Sequence, residues 1–123
     1  MSKILIIEDD QIILQMYRDK FLHEKFLVDT ASDGEEGCSK LQSFRPDVVL
    51  LDLLLPERNG FDVLKFWKND PELNTIPIIV LTNAVIDGDD LLKNWGISSF
   101  LLKVNTTPDD VFTKVKELLP QPA

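Results

Sequence analysis

Cysteine occurs once in the 123 residues, at Cys38, and histidine once, at His23. A single thiol cannot close an internal disulfide, and neither a CxxC pair nor a Cys/His zinc spacing is present. Positive charge is scarce as well. Thirteen Lys and Arg stand against 21 Asp and Glu, a formal net charge of -8. Nucleic-acid binding needs clustered cations to meet phosphates, and docking on anionic lipid needs the same, so both classes are disfavoured. Long hydrophobic runs are missing too. The N-terminal run Ile4, Leu5, Ile6, Ile7 is too short for a signal-peptide core or a membrane span. The expectation is a soluble cytoplasmic chain, long enough for one domain and, at 44% hydrophobic, apolar enough to bury a core.

What the sequence does have is alternation. Ile4 to Ile7 is all apolar and rich in β-branching, as in a strand covered on both faces. Residues 11–24 follow, with Ile13, Met16, Tyr17, Phe21 and Leu22 spaced for one helical face. Residues 27–31 alternate up to a Ser32, Asp33, Gly34 turn. Residues 35–44 read as a helix with Gly37 inside it, and Val48, Val49, Leu50 and Leu51 as a second buried strand. Beyond Pro56, Asn59 and Gly60, a helix carries Phe61, Leu64, Phe66 and Trp67 to about Asn69. Residues 78–81 read as a third buried strand, 89–95 as a short helix stopped by Gly96, and 99–102 as the last strand. Thr107, Pro108, Asp109 and Asp110 open the final helix as N-cap, first residue and acidic first turn. Parallel strands need crossover helices, and right-handed crossovers place them on both faces. Five strands alternating with five helices therefore predict a doubly wound α/β sandwich. One domain is expected over residues 1–119, with Pro120, Gln121, Pro122 and Ala123 as a tail or the start of a linker.

In open parallel sheets ligands bind beyond the carboxyl ends of the strands. Glu8, Asp9 and Asp10 follow the first strand, Asp52 the next buried one, Thr82 the third and Lys103 the last. Carboxylates brought together repel unless a cation joins them, and a few hard oxygens with retained water suit Mg²⁺ better than Ca²⁺. Each residue also has a plain reading: Asp10 as a helix cap, Thr82 as a β-branched strand end, Lys103 as a solvated cation. Their joint placement at strand ends singles them out. His23 reads as solvated or capping, Cys38 and Trp67 as core, and Trp95 as core with a partner contact as the alternative.

The runs Ile4-Leu5-Ile6-Ile7-Glu8-Asp9-Asp10, Val49-Leu50-Leu51-Asp52-Leu53-Leu54-Leu55-Pro56, Asn59-Gly60, Ile79-Val80-Leu81-Thr82 and Phe100-Leu101-Leu102-Lys103 resemble the motifs of receiver domains. These are the phosphoacceptor modules of two-component response regulators, and order and spacing match over essentially the whole chain. The resemblance implies a flavodoxin-like strand order, 2-1-3-4-5. It implies that Asp52 accepts a phosphoryl group from a sensor histidine kinase or histidine phosphotransferase. Asp9, Glu8 through water, Asp52 and the backbone carbonyl of Leu54 would surround Mg²⁺. Lys103 would pair with the phosphoryl oxygens, and the Thr82 hydroxyl would donate to one of them. Inward movement of Thr82 would make room for Phe100. A downstream protein, or a second phosphorylated copy, would then meet a changed face of fourth helix, fifth strand and fifth helix. Direct nucleic-acid or membrane binding is not implied.

Three positions depart from the receiver pattern. Val104 follows Lys103 where Pro is usual, and Asn83 follows Thr82 where a very small residue is common. Leu54 and Ala84 are apolar at positions that tune hydrolysis, so a long-lived phosphorylated state is expected. Other readings of the same architecture fit less well. A flavodoxin-type site would not place Glu8, Asp9 and Asp10 against a phosphate. A P-loop run is absent, and a haloacid-dehalogenase-type phosphatase needs a second Asp where Leu54 stands. The remaining alternative is a degenerate receiver acting as a phosphorylation-independent interaction module.

Overall fold

The computed structural model describes residues 1–56 and 59–119, so the tail expected at 120–123 lies outside the described residues. Five parallel strands, β1 (Lys3–Ile7), β2 (Leu27–Ala31), β3 (Val48–Leu51), β4 (Ile78–Thr82) and β5 (Ser99–Leu102), form one sheet. Their order is β2-β1-β3-β4-β5, as the resemblance implied. The helices are α1 (Gln11–His23), α2 (Gly34–Phe44), α3 (Gly60–Lys68), α4 (Gly88–Asp90) and α5 (Pro108–Leu118). Residues Leu91–Trp95 extend α4 as a π-helical segment, a wider turn than the uniform short helix the sequence predicts.

Alternate residues of a strand face opposite sides, so each central strand feeds two cores. Ile4, Ile6, Val48, Leu50, Ile79 and Leu81 meet α1 and α5 through Tyr17, Phe21, Val111 and Val115. Leu5, Ile7, Val49, Leu51, Ile78 and Val80 meet the other layer through Leu41, Val63, Leu64, Trp67 and Leu91. Continuous burial of β1, β3 and β4 explains their unbroken apolar runs, while the edge strands β2 and β5 are only partly covered.

One helical face requires correction. The buried stripe of α1 is Leu14, Tyr17 and Phe21, with Ile13 packed beside it. Met16 and Leu22 are 43% and 42% exposed. At about 100° per residue a stripe centred on Leu14, Tyr17 and Phe21 has Ile13 on its flank, while Met16 and Leu22 turn more than about 100° from its middle. Cys38 and Trp67 are buried as expected, the Trp67 indole N–H donating to the Ile76 carbonyl at 2.9 Å. Trp95 is half-buried, with its ring 6.2 Å from that of Phe61, and His23 is exposed.

The start of α3 is pressed onto the segment that follows β3. Asn59 caps the helix through its side chain, and the Gly60 N–H donates to the Leu53 carbonyl at 3.1 Å. A Cβ on Gly60 would lie 2.4 Å from the Leu53 Cα and 2.7 Å from the Asp52 carbonyl oxygen. Only glycine permits that approach. Gly60→Ala is therefore expected to lower stability by about 1–3 kcal/mol, the usual cost of overpacking, read as a lower urea midpoint. An unchanged midpoint would mean that this backbone can yield freely.

Candidate functional site

The sheet register sets the site. Ile7 pairs with Ala31 on one side and Leu51 on the other. Glu8 and Asp52 therefore leave neighbouring strands just past the same rung, and the Asp52 N–H donates to the Ile7 carbonyl at 3.0 Å. Both carboxylates are buried, at 3% and 4% exposure, while Asp9 is exposed. Carboxylate oxygens of Glu8, Asp9 and Asp52 lie within 4.8 Å of one another. Asp10 takes its plain reading: its Oδ1 accepts from Ile12 N and Ile13 N and caps α1.

Lys103, the first residue past the edge strand β5, reaches across β4 into this group. Its Nζ lies 2.6 Å from Glu8 Oε1 and 2.7 Å from Asp52 Oδ2. The second Asp52 oxygen accepts from Leu54 N at 3.1 Å. Burial works against the Lys103 charge, but hydrogen bonds to Asp52 and Glu8 outweigh it and hold the ammonium above its usual pKa. Glu8 is pushed up to about 7, first by burial and then by the Asp52 charge, with the Lys103 hydrogen bond opposing both. No hydrogen bond or ion pair engages Asp9 among the described residues. Three hard oxygen donors with one carboxylate open to solvent fit a small divalent cation that keeps several waters.

Thr82 is fully buried, and its Oγ1 accepts from Ala84 N at 3.1 Å, leaving the hydroxyl proton to donate elsewhere. Phe100 is half-buried against the first residue of α4. A Cβ on Gly88 would fall 2.8 Å from the ring, so the bare glycine is the seat of this aromatic. A cleft of about 790 Å³ opens beside the carboxylates between Asp9, Leu54 and Pro56 on one wall and Ala84 and Val85 on the other. The described peptide bonds are all trans, that before Val104 included.

The structure thus brings Glu8, Asp9, Asp52 and Lys103 together, with Thr82 on the strand that Lys103 crosses and Phe100 beyond it. Two features escaped the sequence reading. Lys103 bridges Glu8 as well as Asp52, and the Asn83 side chain accepts from Val104 N at 3.2 Å. The signal for the second was present. The unusual residues after Thr82 and after Lys103 occupy matching places beyond two paired strands.

Comparison with known proteins agrees with this geometry. The profile of the response regulator receiver domain matches residues 4–116. The polar-differentiation response regulator DivK of Brucella anthropi is 29% identical over 108 residues, covering 87% of this chain and 88% of DivK. Among solved structures, chemotaxis response regulator CheY4 of Vibrio cholerae superposes with a TM-score of 0.85 at 28% identity, over 97% of this chain and 99% of that one. A putative response regulator from Chloroflexus aurantiacus gives 0.83 at 25% identity, over 95% and 96%.

The raised pKa of Glu8 has a testable sign. Folded Glu8 keeps its proton up to about 7, against an ordinary 4.5. The folded chain binds more protons than the unfolded one between those values, so stability falls as pH rises through that window. With chelator present, the wild type is expected to lose on the order of 1–3 kcal/mol relative to Glu8→Gln between about pH 5 and about pH 8. Parallel urea-midpoint profiles for the two proteins would remove the assignment.

Proposed function

Because the chain belongs to the receiver domain family of response regulators, we propose that Asp52 is its phosphoacceptor and that phosphorylation switches a partner-binding face. The observation that carries this reading is the Asp52 carboxylate, sealed at the end of β3 between the Lys103 ammonium and the Glu8 and Asp9 carboxylates. Glu8, Asp9, Asp52 and the Leu54 backbone carbonyl are the groups that would hold Mg²⁺. When bound, the ion supplies positive charge that offsets repulsion between an anionic nucleophile and an anionic donor.

The chain's own residues do the rest. An Asp52 oxygen attacks the phosphorus of a phosphohistidine on a kinase or phosphotransferase. The O–P bond forms as the N–P bond breaks, and the leaving imidazole nitrogen takes up a proton from solvent. Lys103 has three N–H donors, two of them engaged by Glu8 and Asp52, and turns to the incoming phosphoryl oxygens. Thr82 donates its hydroxyl proton to another of them. Its inward movement frees space for Phe100 to leave its seat on Gly88 and alters the surface of α4, β5 and α5. A downstream protein, or a second phosphorylated copy, reads that surface in the cytoplasm.

Leu54 and Ala84 at the mouth of the site cannot hold an attacking water, so the acyl phosphate outlasts the transfer. Incubation with Mg²⁺ and acetyl phosphate or phosphoramidate is expected to add one phosphoryl group by mass, and Asp52→Asn to abolish the addition. A wild type left unmodified under forcing conditions would transfer the case to the interaction-only module. Leu54→Glu is expected to change the decay rate of the phosphorylated chain more than the same change at exposed Met16. Wild-type decay within seconds would overturn the lifetime argument.

A further inference from the structure

Pairing between β4 and β5 ends with Thr82 opposite Leu102. Beyond that rung the chain after β5 leaves the sheet in a 3₁₀ turn, Lys103–Asn105. The tie between the two segments nevertheless continues, through a side chain. Asn83 Oδ1 accepts a hydrogen bond from Val104 N at 3.2 Å. The two residues stand one position after Thr82 and one position after Lys103.

We propose that Asn83 is a positioning residue for Lys103: by holding the Val104 N–H it fixes the turn that carries Lys103 and so aims the ammonium at Asp52 and at the group attached there. This rests on the reading of Asp52 as phosphoacceptor. The side chain of Lys103 is long and flexible, so the direction of its Nζ depends on where its backbone is held. The turn's own hydrogen bonds, Thr106 N to the Lys103 carbonyl and Thr106 Oγ1 to the Leu102 carbonyl, are local and set its shape. The Asn83 bond runs across 21 residues and fixes the turn relative to β4. It needs a main-chain donor at 104, which Val has and Pro lacks. The two departures at 83 and 104 are thus one feature, a donor and its acceptor. The same bond links the backbone beside Thr82 to the backbone beside Lys103, the two groups that meet the phosphoryl oxygens.

A second role for Asn83, as a bulky gate over the site, predicts the opposite behaviour. A double-mutant cycle separates the two. Phosphorylation of wild type, Asn83→Ala, Val104→Pro and the double variant is followed with phosphoramidate at saturating Mg²⁺. Asn83→Ala is expected to slow transfer roughly two- to ten-fold, the size of one net hydrogen bond, with no further slowing in the Val104→Pro background. Two measurements without phosphoryl transfer accompany it. Asn83→Ala is expected to speed hydrogen exchange at the Val104 amide and to shift the Lys103 ammonium resonance, while Asn83→Asp, which keeps the acceptor oxygen, restores the amide protection. These readings stand even if Val104→Pro fails to fold. Faster transfer in Asn83→Ala, additive effects in the cycle, or an unmoved Lys103 resonance would overturn the proposal while leaving phosphorylation at Asp52 intact. A wild type that takes up no phosphoryl group would instead overturn the phosphoacceptor reading, and with it the role given to Asn83.

Discussion

Two buried carboxylates are held at one end of a parallel sheet by one ammonium, with a third, exposed carboxylate beside them. Lys103 lies between Glu8 and Asp52, and the rest of the site is arranged around that contact. Like charges out of water repel strongly, and each also loses its hydration. Removing one partner from such a buried group commonly costs about 3–5 kcal/mol, because the charge left behind has nothing to meet. The geometry narrows the choice of cation. Strands lie about 4.8 Å apart, and β4 separates β5 from β3. Only a long side chain from β5 can pass over β4 to reach Asp52. The fold and the site therefore constrain each other: the strand order makes the reach necessary, and the reach ties an edge strand to the centre of the sheet.

The strand-end residues were legible in the sequence because they follow unbroken apolar runs, and such runs mark strands buried on both faces. Glu8, Asp52 and Thr82 each come directly after one, and Lys103 follows the shorter apolar run of the partly covered β5. The helices were legible in position but less so in orientation. In α1 the apolar residues occupy more than one face, so periodicity alone admitted Met16 and Leu22 where the packing selects Leu14. The contact of Asn83 with Val104 had no periodic signature at all. It joins two exposed residues just past the ends of β4 and β5, and only the register of those strands brings them together. The bridge from Lys103 to Glu8 was hidden for a related reason, since pairing among three acids and one base is decided by distances rather than by order along the chain.

Glycines show how closely the site is fitted to its surroundings. Gly60 lets α3 lie directly on the backbone at Asp52 and Leu53, so the main chain that carries Asp52 is held by the start of a helix as well as by the sheet. Gly88 does the converse for Phe100, offering a ring a flat backbone with no side chain to displace. One glycine removes freedom from the centre of the site, and the other seats an aromatic ring at its edge.

The division of each central strand between two cores has a mechanical side. Leu50 and Leu51, on either side of the sheet just before Asp52, are anchored in opposite helical layers. A force applied at the carboxylate is resisted by both layers at once, so the centre of the sheet is the stiff part of the molecule. β5 is the other extreme, an edge strand with partial burial along its whole length and Lys103 at its tip. Load placed on Asp52 and passed through Lys103 is therefore delivered to the least buried strand of the sheet. Of the two edge strands it is β5 that Asp52 reaches through Lys103, so a displacement at the buried centre of the sheet is led to the side where packing opposes it least.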